Sequence, residues 1–207
     1  MEDVLSVYAR PYDENFPVVC MDEKPVQFFA NARKSLQNGR IEYEDSEYIR
    51  NGTACIFMFT EPLNGWRYAD AQEHRTREDW AKQIKWLLDE QYPDATRVVL
   101  VMDNLNTHSI ASLYQTFQPD EAFRLASRLE IHYTPKHGSW LDIAEIELSA
   151  LARQCIGKSR IPNLEALRNL LQPWYIDRNK KQKGINWQFT TADARVKLKR
   201  LYPIINI

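Results

Sequence analysis

The stretch VLVMDNLNTH, residues 99–108, decides the fold class, because an unbroken apolar run ends there on an aspartate and a turn. A continuous run of β-branched and other apolar residues is typical of a strand covered on both faces of its sheet. The stretch VVCMDEKP, residues 18–25, has the same form and also places an aspartate directly after the run. The sequence therefore predicts two interior strands that each end on an acid.

The segments around these two strands alternate between strand and helix patterns. Residues 53–60 form another apolar run, and Asn64-Gly65 is a tight-turn pair that joins it to a strand ending near Ala71. A fifth strand is predicted over 129–133. Helices are predicted over residues 76–91, 109–117, 119–127, 140–156 and 162–181. This order indicates an α/β fold, a mixed sheet with helices on its faces.

The length and composition are those of one soluble domain. The chain has 207 residues, of which 44% are hydrophobic and 27% charged. No apolar run approaches the roughly 20 residues of a membrane span, and the first residues lack the features of a signal peptide. We expect a cytoplasmic protein with reduced cysteines, a core over about 17–156, and a basic helical C-terminal extension over 157–207.

Charge is unevenly distributed along the chain. Residues 1–150 carry 15 Lys and Arg against 25 Asp and Glu, whereas residues 151–207 carry 12 against 3. A basic cluster beside aromatic residues suits contact with a nucleic-acid backbone, although a solvated helix face explains the same pattern. The candidate DNA-binding residues of this cluster are Arg178, Lys180, Lys181 and Lys183.

Asp22 and Asp103 are candidate metal ligands, because each follows an apolar strand. Open α/β sheets place their sites at the carboxyl ends of strands, where two neighbouring parallel strands would bring these acids together. Two carboxylates about 4 Å apart repel by about 4 kcal/mol at an intermediate dielectric, and a divalent cation such as Mg²⁺ removes that cost. The alternative is two unrelated surface acids at strand ends.

A third ligand should come from an element that passes over these strand ends. The helix predicted from Trp140 offers Asp142, Glu145 and Glu147. At 100° per residue, Glu145 and Glu147 fall on opposite edges of the apolar stripe of that helix. Periodicity therefore does not choose between them.

Three segments taken together resemble a known family. VVCMDEKP (18–25), VLVMDNLNTH (99–108) and YTPKHGSWLDIAEIE (133–147) are similar to the catalytic motifs of bacterial insertion-sequence transposases related to mariner. The resemblance covers about residues 1–180. It implies an RNase H-like DDE domain whose mixed five-stranded sheet is flanked by helices.

The resemblance also implies a chemistry. Carried over by motif, the catalytic and metal-binding acids are Asp22, Asp103 and Glu145, with Asp142 standing where the family commonly has asparagine. They would hold two Mg²⁺ ions, with Mn²⁺ as a substitute, for DNA strand cleavage and strand transfer. Asp22 would bridge the ions, and Asp103 and Glu145 would complete one each.

Two departures from the family concern organisation. The interval from Asp103 to Glu145 is longer than usual, so an insertion is expected around 117–128. The chain also starts almost at the first catalytic strand, without the usual helix-turn-helix region. It is expected to be a catalytic domain alone, a second reading frame, or a truncated remnant. The expected partners are DNA, a second copy in the active complex, and an upstream helix-turn-helix polypeptide, in a bacterial cytoplasm near the nucleoid.

Three further residues lie beside the motifs. Lys24, His108 and His137 are candidates for contact with DNA phosphate, and a hydrogen-bonded structural role is the alternative for each histidine. Two rival functions remain open at this point. One is a different RNase H-like endonuclease that cuts without joining, and the other is a non-catalytic remnant that binds DNA or a full-length transposase.

Overall fold

A computed structural model describes residues 1–31, 36–38, 41–43, 48–136, 138–157, 159–181, 183–185 and 187–202. The strands are β1 Val18–Asn31, β2 Leu36–Asn38, β3 Ile41–Tyr43, β4 Tyr48–Glu61, β5 Trp66–Gln72, β6 Val98–Met102 and β7 Leu129–Tyr133. The helices are α1 Glu2–Tyr8, α2 Arg77–Trp86, α3 Ile110–Thr116, α4 Pro119–Ser127, α5 Ile143–Leu151, α6 Leu164–Lys181 and α7 Thr191–Lys197.

Five strands form the central sheet in the order β5-β4-β1-β6-β7. β1 pairs antiparallel with β4 and parallel with β6, and β6 pairs parallel with β7. All five residues of β6 are buried, because helices cover both faces of the sheet at its position. The predicted α/β fold with a mixed five-stranded sheet is confirmed.

Alternate residues of β1 enter two separate cores. Val18 and Cys20 pack with residues of α5 and α6 on one face, whereas Val19 and Met21 pack with Trp80 of α2 and residues of α3 and α4 on the other. This alternation follows from the two-residue period of a strand. It also fixes the opposite directions of the next two side chains, Asp22 and Glu23.

The C-terminal helices belong to the first of these cores. Leu167 and Leu171 of α6 and Ala194 of α7 are buried in it. Thr190 caps the start of α7, and its side chain accepts a hydrogen bond from the Asp193 amide in a capping box. Helix α6 is therefore packed against the sheet at β5, and α7 is packed against α1.

The β4–β5 hairpin turns at Gly65, as the Asn64-Gly65 pair predicted. Gly65 has a φ of +76°, a left-handed conformation that suits glycine. A side-chain carbon at Gly65 would lie only 2.6 Å from the backbone carbon of Lys183. The turn therefore packs closely against the chain that follows α6.

Several elements differ from the sequence prediction. β1 continues nine residues beyond Asp22, to Asn31, where it pairs with β4 and no longer with β6. A strand that pairs on one side only is less buried, so its residues do not form a continuous apolar run. The strand predicted from the apolar run therefore ends at Asp22, before the observed end of β1. The predicted helix over 76–91 changes to a π-helical segment at Leu87, and none of the described helices has the length and apolar character of a membrane span.

Candidate active site

Strand pairing brings the first two acids to one edge of the sheet. Met21 of β1 is paired in parallel register with Met102 of β6, and Asp22 and Asp103 each follow directly. Asp22 accepts a hydrogen bond from the Glu23 amide at 2.7 Å. The two interior strands predicted from the sequence are thus adjacent and parallel, and their acids lie side by side where the pairing of β1 with β6 ends.

The third segment reaches this edge through α5. Asp142 caps the helix by accepting a hydrogen bond from the Ala144 amide at 2.9 Å, and Glu145 lies exposed in the first turn. Glu147 lies on the other side of the helix, where only 4% of its side chain is exposed. Its carboxylate lies 2.9 Å from Arg67 and 3.0 Å from Arg178. Glu145 therefore lies at the surface, whereas Glu147 belongs to a buried ion-pair cluster.

The acids at this edge interact electrostatically. Burial raises the pKa of Asp22 to about 6, and the negative charges of Asp103 and Glu145 contribute to the increase. The hydrogen bond from the Glu23 amide acts in the opposite direction. Asp22 therefore lies in a negative environment that a cation would relieve.

Asp142 adds a fourth acid behind the other three. It is 3% exposed, and its Oδ2 has no hydrogen-bond partner among the described residues. Burial raises its pKa well above the usual value, and the nearby charge of Asp22 raises it further. The sequence placed Asp142 among the candidates for the third ligand, whereas the structure places it in the interior as the cap of α5.

His108 lies between two acids. Its Nδ1 is 2.6 Å from Asp103 Oδ1, and its Nε2 is 3.0 Å from Glu23 Oε1. Burial of the ring lowers its pKa, but the hydrogen bonds to the two carboxylates outweigh burial and raise the pKa to about 9. The side chain is fully buried, so the phosphate contact expected for His108 is not available in this arrangement.

Glu23 is a site residue that the sequence did not identify. Its side chain is 2% exposed and points to the face of the sheet opposite Asp22. The apolar run ends at Asp22, so the sequence pattern carries no signal that Glu23 continues the strand. Strand alternation through residue 24 would have placed Glu23 against the helices that hold His108.

The remaining candidates lie at the surface or outside the described residues. Lys24 is half-buried on the face that Asp22 occupies, and it borders a cavity of about 510 Å³ between β1 and the chain after α5. The exposed candidates are Lys180, Lys181 and Lys183. Lys181 pairs with Asp177 at 2.7 Å. His137 is not among the described residues.

Arg178 has partners within the chain. Its guanidinium bonds to Glu147 and Gln154, and it lies 5.0 Å from the ring centroid of Trp174. It also lines a cleft of about 380 Å³ together with Lys181 and Lys183. This cleft therefore gathers three basic residues of the C-terminal extension together with Arg67.

The donor set at the sheet edge suits a hard divalent cation. Asp22, Asp103 and Glu145 offer carboxylate oxygens, which Mg²⁺ and Mn²⁺ prefer, and their charges oppose one another. Within the described residues, neither Asp22 nor Glu145 forms an ion pair with Lys or Arg, and no three acidic, His or Cys side chains already converge as a metal site.

A comparison with known protein families decides the classification. Residues 17–168 match the DDE superfamily endonuclease family, and this range includes all three candidate acids. The chain belongs to the DDE endonuclease superfamily. An endonuclease fold with acids at the carboxyl ends of adjacent strands agrees with the resemblance drawn from the three motifs.

Solved structures of mariner transposases share the fold of this DDE endonuclease. The Mos1 strand transfer complex matches with a TM-score of 0.56 and 15% identity, over 86% of this chain and 55% of that chain. The Mos1 mariner paired-end complex with Mn matches with a TM-score of 0.57 and 16% identity, over 86% and 54%. The Mos1 paired-end complex with left transposon end has a TM-score of 0.56 and 16% identity, over 84% and 51%.

The RNase H-like fold expected from the motifs is confirmed by these matches. The chain spans about half the length of the solved structures it matches. A comparison with curated protein sequences gives no significant match.

Proposed function

We propose that this chain is the catalytic domain of a DDE transposase related to mariner, which cuts DNA strands and joins a 3′-hydroxyl end to a target. The observation that supports it best is the pairing of two strand-end acids, Asp22 and Asp103, with Glu145 near enough to raise the pKa of Asp22. Acids that repel one another in an endonuclease domain are suited to a reaction on a phosphodiester that uses divalent cations.

Asp22, Asp103 and Glu145 would hold two Mg²⁺ ions, for which Mn²⁺ substitutes. When bound, such ions lower the pKa of the attacking water or hydroxyl and stabilise the leaving oxygen. The three carboxylates supply oxygen ligands from three separate segments. No covalent intermediate with a protein side chain is required.

DNA is the proposed partner, as transposon ends and as target. Lys24 lies two residues beyond Asp22 on the same face of β1, which suits contact with a phosphate next to the scissile bond. Lys180, Lys181 and Lys183, with Arg178 behind them, suit the backbone further away. A second copy in the active complex and a helix-turn-helix polypeptide complete the proposed assembly, which would act at the bacterial nucleoid.

The test is a cleavage assay on supercoiled plasmid DNA with Mg²⁺, Mn²⁺ or chelator. We expect metal-dependent nicking that falls by at least about a hundredfold in Asp103→Asn, because a carboxylate that holds the cations is lost. The matched control is Asp94→Asn, which changes an exposed aspartate near the amino end of the same strand. It should nick like the wild type.

A second arm separates a transposase from a plain nuclease. An oligonucleotide with a free 3′-hydroxyl is added, and joined product is measured by gel electrophoresis. Nicking without joining would favour the different RNase H-like endonuclease. Nicking that survives in Asp103→Asn, or no metal-dependent nicking at all, would contradict the proposed function.

A further inference from the structure

Glu23 and His108 form a buried pair directly behind Asp103. The ring of His108 bridges Asp103 Oδ1 at 2.6 Å and Glu23 Oε1 at 3.0 Å. The side chain of His108 is 0% exposed and that of Glu23 is 2% exposed, whereas 38% of the Asp103 side chain is exposed. The pair thus connects the interior of the protein to one oxygen of a carboxylate that faces solvent.

The position of His108 is fixed on several sides. Its amide donates to the carbonyl of Leu105 at 3.0 Å, and its carbonyl accepts from the Tyr133 hydroxyl at 2.8 Å. The Trp80 ring stacks near the imidazole, with 6.1 Å between centroids and 28° between planes. The two hydrogen bonds hold the backbone of His108, and Trp80 of α2 lies beside its ring.

Glu23 depends on His108 for its hydrogen bonding. Its Oε1 meets the imidazole, and its Oε2 has no hydrogen-bond partner among the described residues. A buried carboxylate without a cationic or donating partner is costly, because it has lost its hydration. The imidazole of His108 contacts Asp103 with one ring nitrogen and Glu23 with the other, so a single ring links the two carboxylates.

We propose that Glu23 and His108 are positioning residues that hold the Asp103 carboxylate in the orientation needed to receive a divalent cation. This inference rests on the proposed function. One oxygen of Asp103 is engaged by the ring, which leaves the other oxygen directed away from His108 and available to a cation. Partners of this kind orient the ligands of metal sites, and their loss typically lowers metal affinity about 10–100-fold.

The test compares His108→Gln and Glu23→Gln with the wild type, using Mn²⁺ alone as the probe in titration calorimetry. The control is His132→Gln. His132 also bridges two carboxylates, with Nδ1 2.7 Å from Asp3 and Nε2 2.9 Å from Glu130, but neither is a proposed metal ligand. Thermal unfolding without metal reports any loss of folding in each variant.

We expect Mn²⁺ affinity to fall at least about tenfold in His108→Gln and in Glu23→Gln, and to stay unchanged in His132→Gln. The double variant should lose little more than His108→Gln alone, since Glu23 acts on Asp103 only through its hydrogen bond with His108. Unchanged affinity in the folded His108→Gln protein, or an equal loss in His132→Gln, would overturn the inference.

A spectroscopic measurement tests the contact between His108 and Asp103 without added metal and without an activity assay. The ¹⁵N and ¹H signals of the His108 ring should show a protonated, hydrogen-bonded Nδ1 that shifts in Asp103→Asn and stays in His132→Gln. Ring signals of His108 that do not change in Asp103→Asn would contradict the contact between His108 and Asp103. Absence of both Mn²⁺ binding and nicking in the wild type would instead overturn the proposed function, while the ring signal still reports the contact.

Discussion

The position of the Asp22 carboxyl at the sheet edge lowers the stability of the folded protein at neutral pH. Its pKa of about 6 in the folded protein exceeds the usual value near 3.9, so the folded state holds this proton more tightly than the unfolded state. Stability is therefore unaffected by this group below about pH 4 and decreases as pH rises toward 6. At neutral pH, the negative charge of Asp22 opposes folding.

We predict that Asp22→Asn makes the metal-free protein more stable at pH 7, by about 1–3 kcal/mol. The difference from the wild type should shrink toward zero as pH is lowered to 4, because both side chains are then neutral. Urea unfolding across this pH range, with chelator present, measures it. The exposed Asp94→Asn control should show no such pH-dependent gain, and a destabilised Asp22→Asn protein would contradict the electrostatic account.

Substitutions of Glu145 and Glu147 should have different effects, the first on metal-dependent nicking and the second on the stability of the fold. Glu147 is buried between Arg67 and Arg178, so Glu147→Gln should lower the free energy of unfolding by about 3–5 kcal/mol. Exposed Glu145→Gln should change it by less than about 0.5 kcal/mol and abolish metal-dependent nicking. Denaturant unfolding and the plasmid assay measure the two effects. The reverse pattern would exchange the roles assigned to these glutamates.

At the scale of elements, the β4–β5 hairpin is held by close backbone contact. Gly65→Ala would strain a left-handed residue and would also press a methyl group against the backbone of Lys183. We predict a loss of more than about 2 kcal/mol in unfolding free energy. Gly52→Ala is the matched control, since Gly52 has a φ of +91° but its added carbon would meet only Phe28, at 4.0 Å.

Gly52→Ala should cost only the conformational strain, about 1 kcal/mol. Equal losses in both variants, measured by denaturant unfolding, would mean that the contact between the turn and Lys183 contributes nothing. The comparison thus isolates the attachment of the hairpin to the C-terminal chain.

The sequence predicted well those elements that leave a clear local signal, such as an apolar run or a residue that starts a helix. β6 and the first part of β1 are apolar on both faces, and Thr76 and Pro119 mark the starts of α2 and α4. The elements that it missed are short or one-sided. Helices α1 and α7 have seven residues each and were not predicted, and the outer part of β1 pairs on one side only.

The site likewise contains residues that local sequence patterns predict and residues that depend on distant parts of the chain. The apolar runs placed Asp22 and Asp103 after two strands but left open that they are unrelated surface acids, and the resemblance of the three motifs was needed to bring them together. The choice between Glu145 and Glu147 was not predictable from periodicity, since it depends on Arg67, which lies 80 positions earlier in the chain. The link from Glu23 to His108 spans 85 positions and is equally invisible to local pattern.

At the scale of the whole molecule, the C-terminal helices complete the first core. We predict that Leu171→Ala lowers the free energy of unfolding by about 2–5 kcal/mol, because Leu171 is 1% exposed in that core. Leu201→Ala removes the same atoms from a side chain that is 60% exposed, and it should cost less than about 0.5 kcal/mol. Denaturant unfolding measures both. Equal effects would show that α6 is not part of the cooperative unit.

The ion-pair cluster around Arg67 has a consequence for the time at which the site is completed. A ribosome releases this chain from its amino end, so Asp22 and Asp103 emerge well before Arg178, the second partner of Glu147. Nascent chains that end before Arg178 should therefore hold α5 loosely, with faster amide exchange than in the finished protein. The third acid would then reach its working position only after the segment that carries Arg178 has been synthesised, about 75 positions later than Asp103.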